Sequence, residues 1–222
     1  MAIHDEIKEQ QKKTAEMTFK GKAAYFWDYY KIHTCAVVAV AVLTVFFVKD
    51  IVTGNQKSVF QVAIINSETQ TLDESYEQAF GEYLGIDPKK ESVTFDNTYQ
   101  IDLDGADQLT VASTQKMVAN VQLALIDAIL APSDIVDYYA DNSFLGDISK
   151  VLSAEQFNEL NAEGRIYYAK TEDGQIPVGI KVEDSKWIKE TGLYTKQKPI
   201  VTCLKNTVQQ ENLLKFITYM NR

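Results

Sequence analysis

The chain has 222 residues, 45% of them hydrophobic, which allows one ordinary domain plus an anchor and excludes a disordered polypeptide. Its formal net charge of −9 is concentrated after residue 48, where sixteen Lys or Arg face twenty-six Asp or Glu. So acidic a region repels phosphate backbones and anionic lipid headgroups, which excludes nucleic acid as a partner; most of the charge serves solubility, and attraction of cations is secondary.

Residues 1–24 are expected to form a polar cytoplasmic helix. Ile3, Ile7, Met17 and Phe19 are too sparse for a strong apolar stripe, and Lys8, Lys12 and Lys13 alternate with Glu6, Glu9 and Glu16. A solvated or interfacial helix fits, with a partner-binding helix as the alternative.

Residues 25–50 combine an aromatic cluster with an apolar run. Residues 32–48, IHTCAVVAVAVLTVFFV, are seventeen positions without a formal charge, taking His33 as neutral. As a helix they reach roughly 25 Å, the short end of what spans a bilayer's hydrocarbon. Tyr25, Phe26, Trp27, Tyr29 and Tyr30 stand just before, as rings with an apolar body and a polar tip do at a membrane boundary. Thr34 and Thr44 are tolerable in lipid because each can bond back to the preceding turn. One transmembrane helix is expected, against a buried helix or strand of a soluble protein as the alternative.

Lys12, Lys13, Lys20, Lys22 and Lys31 precede the run, whereas only Lys49 and Lys57 follow it closely. That bias puts the N-terminus in the cytoplasm and the C-terminal bulk outside. A cleaved signal peptide is the rival: Val52-Thr53-Gly54 offers small residues, but thirty-one residues before the run are long for such a leader. Residues 51–57 read as a linker.

Residues 58–222 are expected to form one extracytoplasmic α/β domain. Strands are predicted over 58–66, 92–103, 125–130, 165–170, 176–182 and 199–204 from their β-branched, alternating or apolar character. Helices are predicted over 72–84, 107–123, 135–140, 153–160, 184–190 and 208–220. Their signals include Gly85 and Gly192 as stops, Pro132 at a start, and Ser153 with Gln156 as a capping box. Strands alternating with helices predict a mostly parallel sheet with helices on both faces; Glu172-Asp173-Gly174 adds an antiparallel hairpin.

Chemistry is mostly refused. The only histidines, His4 and His33, lie outside the acidic domain, so a His-based triad or His-ligated metal is excluded there. Cys35 and Cys203 fall on opposite sides of the proposed topology; Cys203, in an apolar strand, is an inert core residue. Residues 102–107, DLDGAD, resemble a calcium loop, but the closing position holds Val111; a polar turn with Asp107 as a helix cap is expected instead. Glycines stand singly, so no phosphate loop is present. Nothing singles out a carboxylate pair for glycoside chemistry. No cofactor, metal or catalytic residue is expected.

In an open α/β sheet, ligands settle outside the carboxyl ends of the strands, near helix N-termini. That nominates Asn66, Ser67 and Glu68 after the first strand and Ser133 and Asp134 after the third, with Tyr138 or Tyr139 as a stacking face. The bland alternative is that the polar residues cap and the tyrosines pack.

Residues 125–131, LIDAILA, residues 142–152, NSFLGDISKVL, residues 174–179, GQIPVG, and Asn206-Thr207 before the last helix follow one another in a suggestive order. From residue 59 to 222 this resembles bacterial extracellular solute-binding proteins of the two-lobed periplasmic type. There the counterparts are a "D-hydrophobic" strand, a "G-x-L-x-D-L-S" turn, a "Y-G-I-P" crossover and an "N-S/T" turn. The resemblance implies a solute-binding-like lobe without catalysis. The chain departs from the pattern because only about twenty residues separate Pro177 from the closing strand, so one lobe, or a much reduced pair, is expected. A tethered recognition module is therefore expected, binding a small solute or, better, a membrane-protein partner. The rivals are an accessory subunit of a bacterial membrane complex and an acid-only hydrolase.

Overall fold

A computed structural model describes residues 56–221 apart from 106, 172 and 173, together with positions 18, 20, 21, 27, 35–38 and 40–45. The chain divides into two compact units, Met1–Asn55 and Gln56–Arg222. Of the proposed anchor, Tyr25, Phe26, Tyr29 and Tyr30 lie outside the described residues, as does most of the N-terminal helix; Trp27 is helical and exposed. Positions 35–38 and 40–45 are helical and exposed, and the Thr44 hydroxyl donates to the Val40 carbonyl at 2.8 Å. Among the described residues, no helix is long and apolar enough to cross a membrane.

The second unit runs β1 (Lys57–Ile65), α1 (Ser75–Leu84), β2 (Glu91–Tyr99), α2 (Gln108–Gln122), β3 (Ala128–Ala131), α3 (Ser133–Asp141), a 3-10 turn (Ile148–Lys150) and α4 (Ala154–Ala162). It continues with β4 (Ile166–Thr171), β5 (Gly174–Lys181), α5 (Lys186–Thr191), β6 (Ile200–Cys203) and α6 (Gln210–Met220). Local chemistry sets many of the boundaries. Asp107 accepts from the N–H groups of Leu109 and Thr110 and starts α2, and both arms of the Ser153–Gln156 capping box form. Gly85 closes α1 at φ 74°, a left-handed position that favours glycine.

The six strands are ordered β2-β1-β3-β6-β5-β4. β1 pairs parallel with β2 and β3, whereas β3–β6, β6–β5 and β5–β4 are antiparallel. The sheet is therefore mixed, not mostly parallel, and this corrects the expectation from the sequence. Only two residues separate β4 from β5, too few for a parallel crossover, and β6, reached through α5, pairs antiparallel with both β5 and β3.

Residues alternate between two cores. Phe60, Val62 and Ile64 of β1 face one side, where Phe80 of α1, Trp187 of α5 and Phe216 of α6 meet Phe95 of β2. Ring centroids in this cluster lie 5.2 Å apart for Phe80–Phe216 and 5.5 Å apart for Phe95–Trp187. Ala63 and Ile65 face the other side with Met117 and Val121 of α2 and Ile135 and Tyr139 of α3. On the outer margin of β2, the Glu77 carboxylate accepts the Phe95 N–H at 2.6 Å.

The hairpin carries an irregularity that changes its facing. Tyr167 pairs with Gly179 but Tyr168 with Pro177, so Val178 is extra. Val178 thereby joins the α2–α3 core, while Ile180, two residues on, joins the aromatic one. Gly179 sits where a Cβ would lie 2.6 Å from the Val201 carbonyl oxygen and 2.7 Å from Ile200 Cγ2. Gly179→Ala should cost about 1–3 kcal/mol through overpacking, read as a lower urea midpoint with an unchanged slope.

Candidate functional site

At the carboxyl ends of β1, β2 and β3 lies an open recess of about 610 Å³. Asn66, Gln100, Asp102, Asp104, Asp107 and Asp134 supply most of its polar lining, with Leu103 and Leu109 beside them. Two of the six nominated residues, Asn66 and Asp134, thus line it. Ser67, Glu68, Ser133 and Tyr138 are not among its lining residues.

Asn66 has little left to offer a ligand. It stands at φ 58°, its Nδ2 donates to the Ile101 carbonyl at 2.8 Å, and its Oδ1 accepts the Ile101 N–H at 2.7 Å. The side chain acts as a strand partner for the chain leaving β2. Ser67 donates to the Thr69 carbonyl at 2.9 Å and is buried. Ser133 and Asp134 are exposed in the first turn of α3, where Pro132 takes the cap position. Tyr138 is exposed and packs edge-on to Tyr139 with centroids 5.3 Å apart. Nearby, the Tyr167 hydroxyl donates to Asp137 at 3.0 Å; burial first, then this carboxylate, push the phenol up to about 12.

Glu68 is a clamp. Its carboxylate accepts the N–H groups of Thr195 and Lys196, at 3.0 and 2.8 Å, and a hydrogen bond from the Thr195 hydroxyl. The Thr195 hydroxyl and the Lys196 N–H hold its pKa down to about 2. The Glu68 N–H donates to the Leu193 carbonyl at 2.8 Å, and the Thr69 hydroxyl to the Gly192 carbonyl at 2.8 Å. The segment between α5 and β6 is thereby fastened to the loop after β1.

That segment brings in Tyr194, which the sequence did not nominate. Its hydroxyl lies 2.6 Å from the Ile65 carbonyl and 2.9 Å from the Leu130 carbonyl, so one proton serves the ends of both β1 and β3. The connections of β1 reverse direction between these two strands, and there an α/β sheet normally opens a crevice. Here the crevice is filled by a phenol whose pKa burial drives far up. A weak signal existed in Leu193-Tyr194, an apolar pair between Gly192 and Lys196-Gln197-Lys198 that marks a loop tied down to the core.

The acidic turn is also structurally engaged. The Thr110 N–H and hydroxyl hold the Asp107 carboxyl below its usual range, and the Asp102 N–H donates to the Thr110 hydroxyl at 3.1 Å. Among the described residues, no three His, Cys, Asp or Glu side chains are arranged to hold a metal ion. What the recess offers is a shallow, negatively charged surface with two exposed leucines, Leu103 at 43% and Leu109 at 57%.

Tyr194→Phe should lower stability by about 1–3 kcal/mol, because two buried strand-end carbonyls lose their donor; denaturant unfolding measures it. For Glu68 the folded pKa is depressed, so its contribution is complete above the ordinary value of 4.5 and is lost as pH falls toward about 2. The difference in melting temperature between wild type and Glu68→Gln should therefore shrink across that window, followed by thermal unfolding from about pH 6 downward. No family model matches the chain, and no curated protein or solved structure matches it either.

Proposed function

We propose that the chain is a single-pass membrane protein that presents a non-catalytic, extracytoplasmic α/β recognition domain to a protein partner. The tether rests on residues 32–48: where described, the run is helical, and Val37, Val38, Val42, Leu43 and Val45 are exposed apolar side chains that need an apolar surrounding. The lysine bias before and after the run supports the orientation.

One observation carries the choice of a protein over a small solute. Tyr194 fills the crevice between β1 and β3 in which a solute would be enclosed, and Glu68 fastens the loop that delivers it. What remains is open and acidic, with Leu103 and Leu109 beside Asp102, Asp104, Asp107 and Asp134. A shallow acidic recess with two exposed leucines suits a protein face carrying Lys or Arg around an apolar centre. The reading keeps the solute-binding-like lobe as the source of the fold and drops the enclosed ligand.

A second reading, a small cationic solute held in the recess, draws on the same four aspartates. Site-specific photo-crosslinking separates the two. With a photoreactive residue at Leu109, native membranes should give one reproducible adduct that is lost when Asp102 and Asp104 are changed to Asn. The absence of any reproducible adduct, together with thermal stabilisation by small diamines that the same changes abolish, would favour the solute.

A further inference from the structure

A groove runs along the free margin of β2. This strand pairs only with β1, so its other margin is an edge of the sheet. Helix α1 packs beside that edge, and its Glu77 reaches across to accept the Phe95 N–H. Between helix and strand lies a space of about 460 Å³, with Glu74, Glu77 and Glu82 on the helix side and Glu91 and Val93 on the strand side. Successive residues of a strand turn their backbone groups to opposite margins, so Glu91, Val93 and Phe95 share the outer one. There the Glu91 N–H is bonded to the Asp87 carbonyl at 2.9 Å and the Phe95 N–H to Glu77 at 2.6 Å. What remains for an added strand is the Val93 N–H with the carbonyls of Glu91, Val93 and Phe95, enough for one short run of pairing.

The side chains select what such a strand carries. Lys57, opposite Glu91 in the strand register, and Lys89, in the turn before β2, stand at one end of the groove. Even so, among the described residues Glu74, Glu77, Glu82 and Glu91 are in no ion pair. Burial pushes the Glu77 carboxyl above its usual range against the pull of the Phe95 N–H, and the charges of Glu74 and Asp96 push it further. Only one of its two oxygens is taken by that N–H. A cation brought into the groove therefore meets carboxylates that lack a counter-charge. The spacing also fits: Glu74, Gln78 and Glu82 follow one another along the groove in four-residue steps of about 6 Å, and alternate side chains of an extended segment recur about every 6.8 Å.

We propose that a partner protein lays an extended segment in this groove as an added strand, paired with β2 through Val93, with Lys or Arg at alternate positions facing Glu74, Glu77 and Glu82. A neutral segment would leave the carboxylates without a counter-charge. Two copies of this chain meeting margin to margin would bring both sets of glutamates together, which makes a second copy the poorer occupant. The groove is separate from the acidic recess at the strand ends, and the proposal rests neither on that site nor on the membrane tether.

The test uses the full chain in dodecyl maltoside and a dye-labelled eight-residue peptide of alternating Lys and Val, followed by fluorescence anisotropy. Methylating one alternate set of the peptide's backbone nitrogens should weaken binding at least about tenfold, and methylating the other set should not, because an added strand pairs along one margin only. Glu74→Gln with Glu82→Gln, at exposed positions that make no capping bond, should weaken it at least about fivefold. Asp102→Asn with Asp104→Asn should leave it unchanged, and hydrogen exchange at the Val93 amide should slow when the peptide binds. Methylated peptides that behave alike, or no binding at all, overturn the proposal. A loss caused by the Asp102 and Asp104 changes instead assigns the peptide to the recess and also overturns it. Cross-links between copies through Ser92→Cys, in a Cys35→Ser background with Cys203 buried, give the margin to a second copy and overturn it as well.

Discussion

Everything in the domain is arranged around strand β1, which has to be covered on both faces. Val62, Ala63, Ile64 and Ile65 are all fully buried, and successive residues point to opposite sides. A strand of that kind cannot lie on a surface. It demands a layer of helix above and below, and the chain answers with α1, α5 and α6 on one side and α2 and α3 on the other. Packing of five aromatic rings, Phe60, Phe80, Phe95, Trp187 and Phe216, fills the first layer with large shapes at centroid spacings that aromatic pairs favour.

The same centrality decides the fate of the strand ends. A doubly covered strand with connections leaving to both sides creates a crevice at its carboxyl end, the usual address for a small ligand. In this protein the crevice is occupied from within by Tyr194. The Glu68 clamp, the Thr69–Gly192 bond and the Asn97 amide on the Thr69 carbonyl make that occupation part of the fold. What stays open is the acidic shoulder around Asp102 and Asp134. A phenol thus separates a scaffold that could enclose a solute from one that presents a surface.

Much of the architecture is written in local chemistry. The helix signals at Gly85, Asp107, Ser153 and Gly192 describe what happens within a few residues of themselves, and each element forms as its caps require. Three features depend on partners far away in sequence, and they escape such reading. β2 ends at Tyr99 instead of running to Leu103, because the Asn66 amide takes over the pairing of Ile101 across thirty-five positions. The sheet is mixed because β6 enters between β3 and β5 antiparallel to both, a placement that no local signal in residues 199–204 states. Tyr194 sits beneath strand ends 129 and 64 residues away, and only its being apolar in a polar loop hints at burial. Of the candidate site, Asn66 and Asp134 were legible from the general rule for strand ends, but the structural engagement of Asn66 and Glu68 was not.

The bond from Glu77 to the Phe95 N–H, on the free margin of β2, has a consequence for life in a crowd. An unpaired margin of a sheet is a template on which a neighbour's extended segment can add. Here one of the donors such a segment would need is already engaged by a carboxylate half withdrawn from water, and seating an intruder means evicting it. Copies pressed together are thus discouraged from zipping into ribbons along that flank.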